Sequence, residues 1–196
     1  MAKKQRVQFT LRPAASVSET EIKQILRAAD DLIASGGRNL LAKMLKGSKE
    51  KKALELELDK NPSYGCFQSL SLDEVMEKID WMIKHRYLEI EYDGRLPLLV
   101  FTEEGWNIER EELAHELLHE WDTWIDNRVE VLSMDYLKDR NRGMILLFLR
   151  KIEDTRNPKY IPLLGKWEQI DYKKVRQEIR RVISQLQSYI DSGPSS

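Results

Sequence analysis

The segment Y-L-E-I-E-Y-D-G-R-L-P-L-L-V-F-T at 87–102 constrains this chain more than any other. It reads as two strands, at about 87–92 and 96–102, turning at Asp93-Gly94, a pair that tolerates positive φ. Pro97 cannot donate to a ladder, so its strand is an edge at that point. Helical patterns precede this hairpin, and from Asn107 onward the pattern is helical only.

The preceding helices have readable starts and stops. Ser18-Glu19-Thr20-Glu21 is a capping box. It opens a helix whose apolar face is Ile22, Ile25, Leu26, Ala29, Leu32 and Ile33, with Gly36-Gly37 as its stop. A short helix over about 38–46 turns Leu40, Leu41, Met44 and Leu45 inward and ends at Gly47. Ser48 is placed to cap a further turn or two towards Leu58, and Asn61-Pro62-Ser63-Tyr64-Gly65 reads as a loop. A second capping box, Ser71 to Glu74, opens a helix to about Arg86, with Val75, Ile79, Met82 and Ile83 as its inner stripe. Helices followed by a hairpin give a winged helix, so the expected fold is mainly α with a small β-wing. The expected organisation is a tail over 1–17, a winged helix over 18–106, a helical domain over 107–190 and a tail over 191–196.

Net charge is −1, yet the charges are unevenly distributed. Residues 36–52 carry six basic groups and one acid, residues 103–135 eleven acids and two basic groups, and residues 138–181 thirteen basic groups and six acids. Basic patches hold phosphates even when the total is near zero. Arg38, Lys43, Lys46, Lys49, Lys51 and Lys52 supply positive charge, and Asn39 and Ser48 stand at helix starts, where backbone N–H groups collect. Tyr92 and Arg95 flank the hairpin turn, where an exposed aromatic can stack on a base.

The order G-R-x-L-L-A-x-x-L-K-G-S at 37–48, Y-G at 64–65, a helix, Y-L-E-I at 87–90 and L-x-x-T-x-x-G at 99–105 resembles the RQC domain of RecQ-family DNA helicases. More closely, it resembles the stand-alone bacterial RQC-minor family, over roughly residues 20–106. The resemblance implies a winged helix that binds DNA, with Arg38, Lys46, Ser48 and the Tyr92–Arg95 tip as contacts to duplex phosphates and to a terminal base pair. The sequence departs from the helicases in having no G-x-x-x-x-G-K-[S/T] loop and no cysteine set for a zinc element.

His115-Glu116-Leu117-Leu118-His119 matches H-E-x-x-H, the spacing that sets two zinc-binding imidazoles one helical turn apart with a glutamate as base. Against that reading, His115, His119, Asp122 and Asp126 share a polar stripe opposite Leu113, Leu117 and Trp121. No third-ligand motif follows, and Glu120 puts a charge where zinc peptidases carry a neutral residue. Helices follow at about 141–153 and 171–190, with 161–164 as a short one between them. Val175-Arg176 after Asp171 resembles the second helix of a HEAT-type repeat. Lys173, Lys174, Arg176, Arg180 and Arg181 give that helix a basic outer face, suited to extending a DNA surface or to an acidic protein partner.

One cysteine, Cys66, excludes an intrachain disulfide and suits a reducing cytoplasm. No apolar run reaches membrane-spanning length, and the first twelve residues lack the apolar core of a secretory signal. The expected function is non-catalytic DNA binding at a duplex end, fork or junction, without a cofactor and, in a bacterium, in the cytoplasm at the nucleoid. RNA offers the same phosphate chemistry. A zinc peptidase using His115 and His119, and a protein-binding adaptor, are the alternatives.

Overall fold

The computed structural model describes residues 16–130, 133–138 and 140–191. The tails expected at the two ends lie almost wholly outside the described residues. The chain divides into two compact units, one up to Glu109 and one from Arg110.

The first unit packs helices α1 (Glu19–Asp30), α2 (Arg38–Leu45), α3 (Lys51–Glu55) and α4 (Leu72–Lys84) with strands β1 (Leu88–Asp93) and β2 (Leu96–Phe101). Its core joins Ile25 and Leu26 of α1, Leu41, Met44 and Leu45 of α2, Val75, Ile79 and Met82 of α4, and Leu88 and Leu99 of the wing. Both capping boxes form: the Glu21 and Glu74 N–H groups donate to the Ser18 and Ser71 hydroxyls, while each glutamate accepts from the serine N–H. Helices followed by a two-stranded antiparallel wing make the winged-helix arrangement expected from the sequence.

Three local expectations are corrected. First, α1 ends at Asp30 rather than at Gly36-Gly37. Residues 31–35 form a turn in which Ala34 takes φ +57°. That turn frees the Ala34 N–H and the Gly36 carbonyl to bond the two backbone groups of Leu99, each at 2.9 Å. A tertiary contact with the wing therefore wins over helix continuation. The glycine pair serves close approach, since a Cβ on Gly37 would lie 2.7 Å from the Pro97 carbonyl oxygen. Second, Ser48 does not cap α3. Glu50 holds the N-cap position, and the Ser48 hydroxyl accepts only from the Glu50 N–H at 3.4 Å. Third, the hairpin turns one residue later than expected. Asp93 pairs with Leu96, leaving Gly94 and Arg95 as the two loop residues. Gly94 has φ +60° and Arg95 is not among the positive-φ residues, the pattern of a type II′ turn with glycine first.

Pro97 is accommodated by register. It shares parity with Leu99, whose N–H points to Gly36 and away from β1, so the N–H missing at Pro97 removes no β1–β2 bond.

In the second unit, the continuation of α5 (Glu103–Asp126) joins α6 (Arg142–Asp154), α7 (Ile161–Glu168) and α8 (Lys173–Asp191). The short helix expected at 161–164 is present as α7, entered through a single 3₁₀ turn at Pro158–Tyr160. Trp121, Phe148 and Trp167 pack edge to face or tilted at 5.0–6.0 Å in its centre. The two indole N–H groups are satisfied, Trp121 by the Tyr136 hydroxyl at 2.8 Å and Trp167 by Asp171 at 2.7 Å. Val175, Ile179, Val182 and Leu186 form the buried stripe of α8.

Candidate nucleic-acid interface

Two glycines shape the basic segment. Gly47 and Gly65 both take positive φ, +73° and +71°. A Cβ on Gly47 would lie 3.2 Å from the Gly65 Cα, so the two backbones meet where side chains would not fit. The Met44 carbonyl accepts from both glycine N–H groups, at 2.9 and 3.0 Å, and the Tyr64 hydroxyl donates to the Ser48 carbonyl at 3.0 Å. The Lys-Gly-Ser turn is thus bolted to the Tyr-Gly loop. This accounts for two of the spaced motif pieces seen in the sequence.

The predicted contacts divide by what already occupies them. The Arg38 guanidinium donates to the carboxylate of Asp80 on α4, and both side chains are largely buried. The Lys46 ammonium donates to the carbonyls of Gln68, at 2.7 Å, and Leu70, closing the loop that enters α4. Lys43 pairs with Glu50 at 2.6 Å. Ser48 is half-buried, with its backbone groups bonded to Lys43 and Tyr64. Arg38 and Lys46 therefore act chiefly as struts, a role that counting charges along the sequence does not reveal. Asn39, Lys49, Lys51 and Lys52 face solvent. Lys51 meets Glu55 only at 3.6 Å and stays 89% exposed, while Lys49 and Lys52 make no ion pair among the described residues. At the wing tip Tyr92, Arg95 and Leu96 are exposed, Tyr92 by 42% and Leu96 by 65%.

The helix before the wing carries the opposite charge. Asp73 and Glu74 on α4 are exposed and Glu77 is half-buried, against Lys78 and Lys84. Lys78 is itself committed to Glu21 at 2.7 Å. Sequence reading passed over an aromatic stack at the end of α4. The His85 ring lies on Trp81 at 3.8 Å between centroids, and Tyr87 stacks on Trp81 at 5.9 Å. The Trp81–His85 spacing of four is its sequence signal.

The T-x-x-G piece is structural. Thr102 accepts from the Gly105 N–H at 3.1 Å, capping α5, and donates to the Arg86 and Tyr87 carbonyls. A Cβ on Gly105 would come within 1.9 Å of the Tyr87 carbonyl oxygen.

His115 and His119 are exposed on α5. The Lys151 ammonium lies 3.0 Å from His115 Nε2, an atom a zinc ion would need, and Lys151 also pairs with Glu111 at 2.7 Å. Among the described residues no group of three or more His, Cys, Asp or Glu is placed to hold a metal ion. Burial pushes the Cys66 thiol up to about 11, so it is protonated at neutral pH and a poor nucleophile. No helix among the described residues is long and apolar enough to cross a membrane.

The RQC domain family matches residues 18–119. The chain belongs to the RQC-domain family. The match covers the whole wing and runs into α5 as far as His119, so the H-E-x-x-H sequence lies inside an RQC match. The ATP-dependent DNA helicase RecQ of Bacillus subtilis (strain 168) is 31% identical over 78 residues, which are 40% of this chain and 13% of the helicase. The chain thus spans about an eighth of that relative's length. No solved structure matches. The resemblance read from the ordered motif pieces therefore holds at the level of the RQC domain.

Proposed function

We propose that this chain is a non-catalytic DNA-binding protein whose RQC unit grips duplex phosphates through the 39–52 segment and sets the Tyr92–Arg95 wing tip at a duplex end, fork or junction. One observation carries the reading: Lys49, and Lys51 and Lys52 at the start of α3, extend into solvent just after a turn fixed by the Gly47–Gly65 contact, while α4 presents acids. An acidic α4 is a poor occupant of a DNA groove, because each phosphate would repel Asp73 and Glu74. The phosphate-facing set is accordingly Asn39, Lys49, Lys51 and Lys52, with Lys43 joining if it leaves Glu50. Arg38, Lys46 and Ser48 support that set from behind.

Titration of blunt, forked and single-stranded DNA at several salt concentrations tests the proposal. Binding of the duplex should weaken linearly in log–log form with salt. The K49E/K51E/K52E variant should lose affinity at least about tenfold and flatten the salt slope by about 2–3. Tyr92→Ala should reduce the preference for forks over blunt duplex more than it reduces total affinity. Absence of salt-dependent binding at low ionic strength would sink the proposal and leave the protein-adaptor reading.

A further inference from the structure

The second unit contains a groove of about 420 Å³ whose basic lining is Lys138, Arg140, Arg142, Lys173 and Lys174. Among the described residues its one acidic lining residue is Asp171, which is occupied: its two oxygens accept from the Trp167 indole at 2.7 Å and from the Tyr172 N–H at 2.6 Å. Arg142, Lys173 and Lys174 are exposed and form no ion pair among the described residues. This contrasts with Arg180 and Arg181 further along α8. Arg180 pairs with Glu168 at 2.5 Å, and Arg181 forms a two-pronged pair with Glu153 at 2.7 and 2.8 Å.

The placement of these cations runs against local preference. Arg142 is the first residue of α6, and Lys173 and Lys174 are the first two of α8. The positive end of a helix dipole disfavours cations, and neither first turn holds an acid. Cations gathered at two helix starts around one concavity disfavour the empty protein, and an anion seated there removes the conflict. The groove also has an aromatic wall. Tyr172 is 59% exposed, with the Lys138 ammonium 5.5 Å from its ring centroid. Leu137 and Val175 give an apolar base. Positive charge beside an exposed aromatic ring, in a volume of nucleotide size, is the chemistry of single-strand binding.

We infer that this groove is a second nucleic-acid site, which takes the phosphates and a base of a single strand, with Tyr172 as the stacking platform. The inference does not depend on the winged-helix reading. Its test uses the full chain and a fluorescent oligothymidylate of about 12 nucleotides, beside a blunt duplex. R142E/K173E/K174E should bind the oligothymidylate about tenfold more weakly. Tyr172→Ala, which leaves net charge unchanged, should weaken it about fivefold. Both variants should keep blunt-duplex affinity, and the glutamate variant should melt no lower than the natural protein because carboxylates suit helix starts. K49E/K51E/K52E should show the reverse pattern, losing duplex and keeping oligothymidylate. No binding of oligothymidylate by the natural protein, an unchanged affinity in either groove variant, or equal losses on strand and duplex would each overturn the inference. Loss of duplex binding alone bears only on the wing.

Discussion

Arg38 and Lys49 differ little as letters and greatly as residues. Both are basic and both stand in the segment from which phosphate contacts were expected, yet the Arg38 guanidinium meets Asp80 in a largely buried pair while Lys49 faces solvent. Removing one partner of such a pair leaves the other charge without its carboxylate in a poorly hydrated place. Asp80→Ala should therefore cost about 3 kcal/mol in urea denaturation. Lys49→Ala should stay within about 0.5 kcal/mol, since exposed substitutions away from special features do little. Equal effects at the two positions would contradict the division between buried strut and solvent-facing cation. The sequence marks both residues as cations. Only the partner, 42 positions away, separates their roles.

At the scale of elements, the glycine in the wing turn and the glycine at the start of α5 act by two different mechanisms. Gly105 is helical and needs space, because a Cβ there would collide with the Tyr87 carbonyl at 1.9 Å. Gly94 has open space around it and needs conformation, at φ +60°. Gly105→Ala should thus destabilise by about 3 kcal/mol through forced displacement of the Tyr87 backbone, just before β1, from α5. Gly94→Ala should cost about 1 kcal/mol through left-handed strain alone. Denaturation midpoints of the two variants check the order, and a milder Gly105→Ala would refute the close approach. The capping boxes, the α4 stripe and the existence of the hairpin were legible because their determinants are local. The end of α1 and the position of the turn were not. Ala34 and Gly36 are recruited by Leu99, and the strand pairing runs on to Asp93–Leu96.

For the whole molecule, charge couples stability to pH. Hydrogen bonding to Lys151 holds the Glu111 carboxyl below the usual carboxylate value of 4.5, and Arg181 does the same for Glu153. Such groups bind fewer protons folded than unfolded. Their stabilisation is complete above about 4.5 and is lost as the pH falls through the lowered folded values. Glu120 runs the other way, because burial raises it. Thermal melts from neutral pH downward should show Tm falling below about pH 4.5. E111Q/E153Q should melt lower at neutral pH and show a smaller further fall in acid, and a parallel curve would refute the assignment. By itself, the sequence determined the helix–wing–helix order, the family and the uneven charge, because caps, periodicities and ordered motif pieces are short-range and survive in one dimension. Tertiary structure decided which cations are struts and which face solvent. It decided that His115 meets an ammonium, and that Lys138, Arg140 and Arg142 share one groove with Tyr172, Lys173 and Lys174. Ion pairs and concavities arise between residues that only folding brings together.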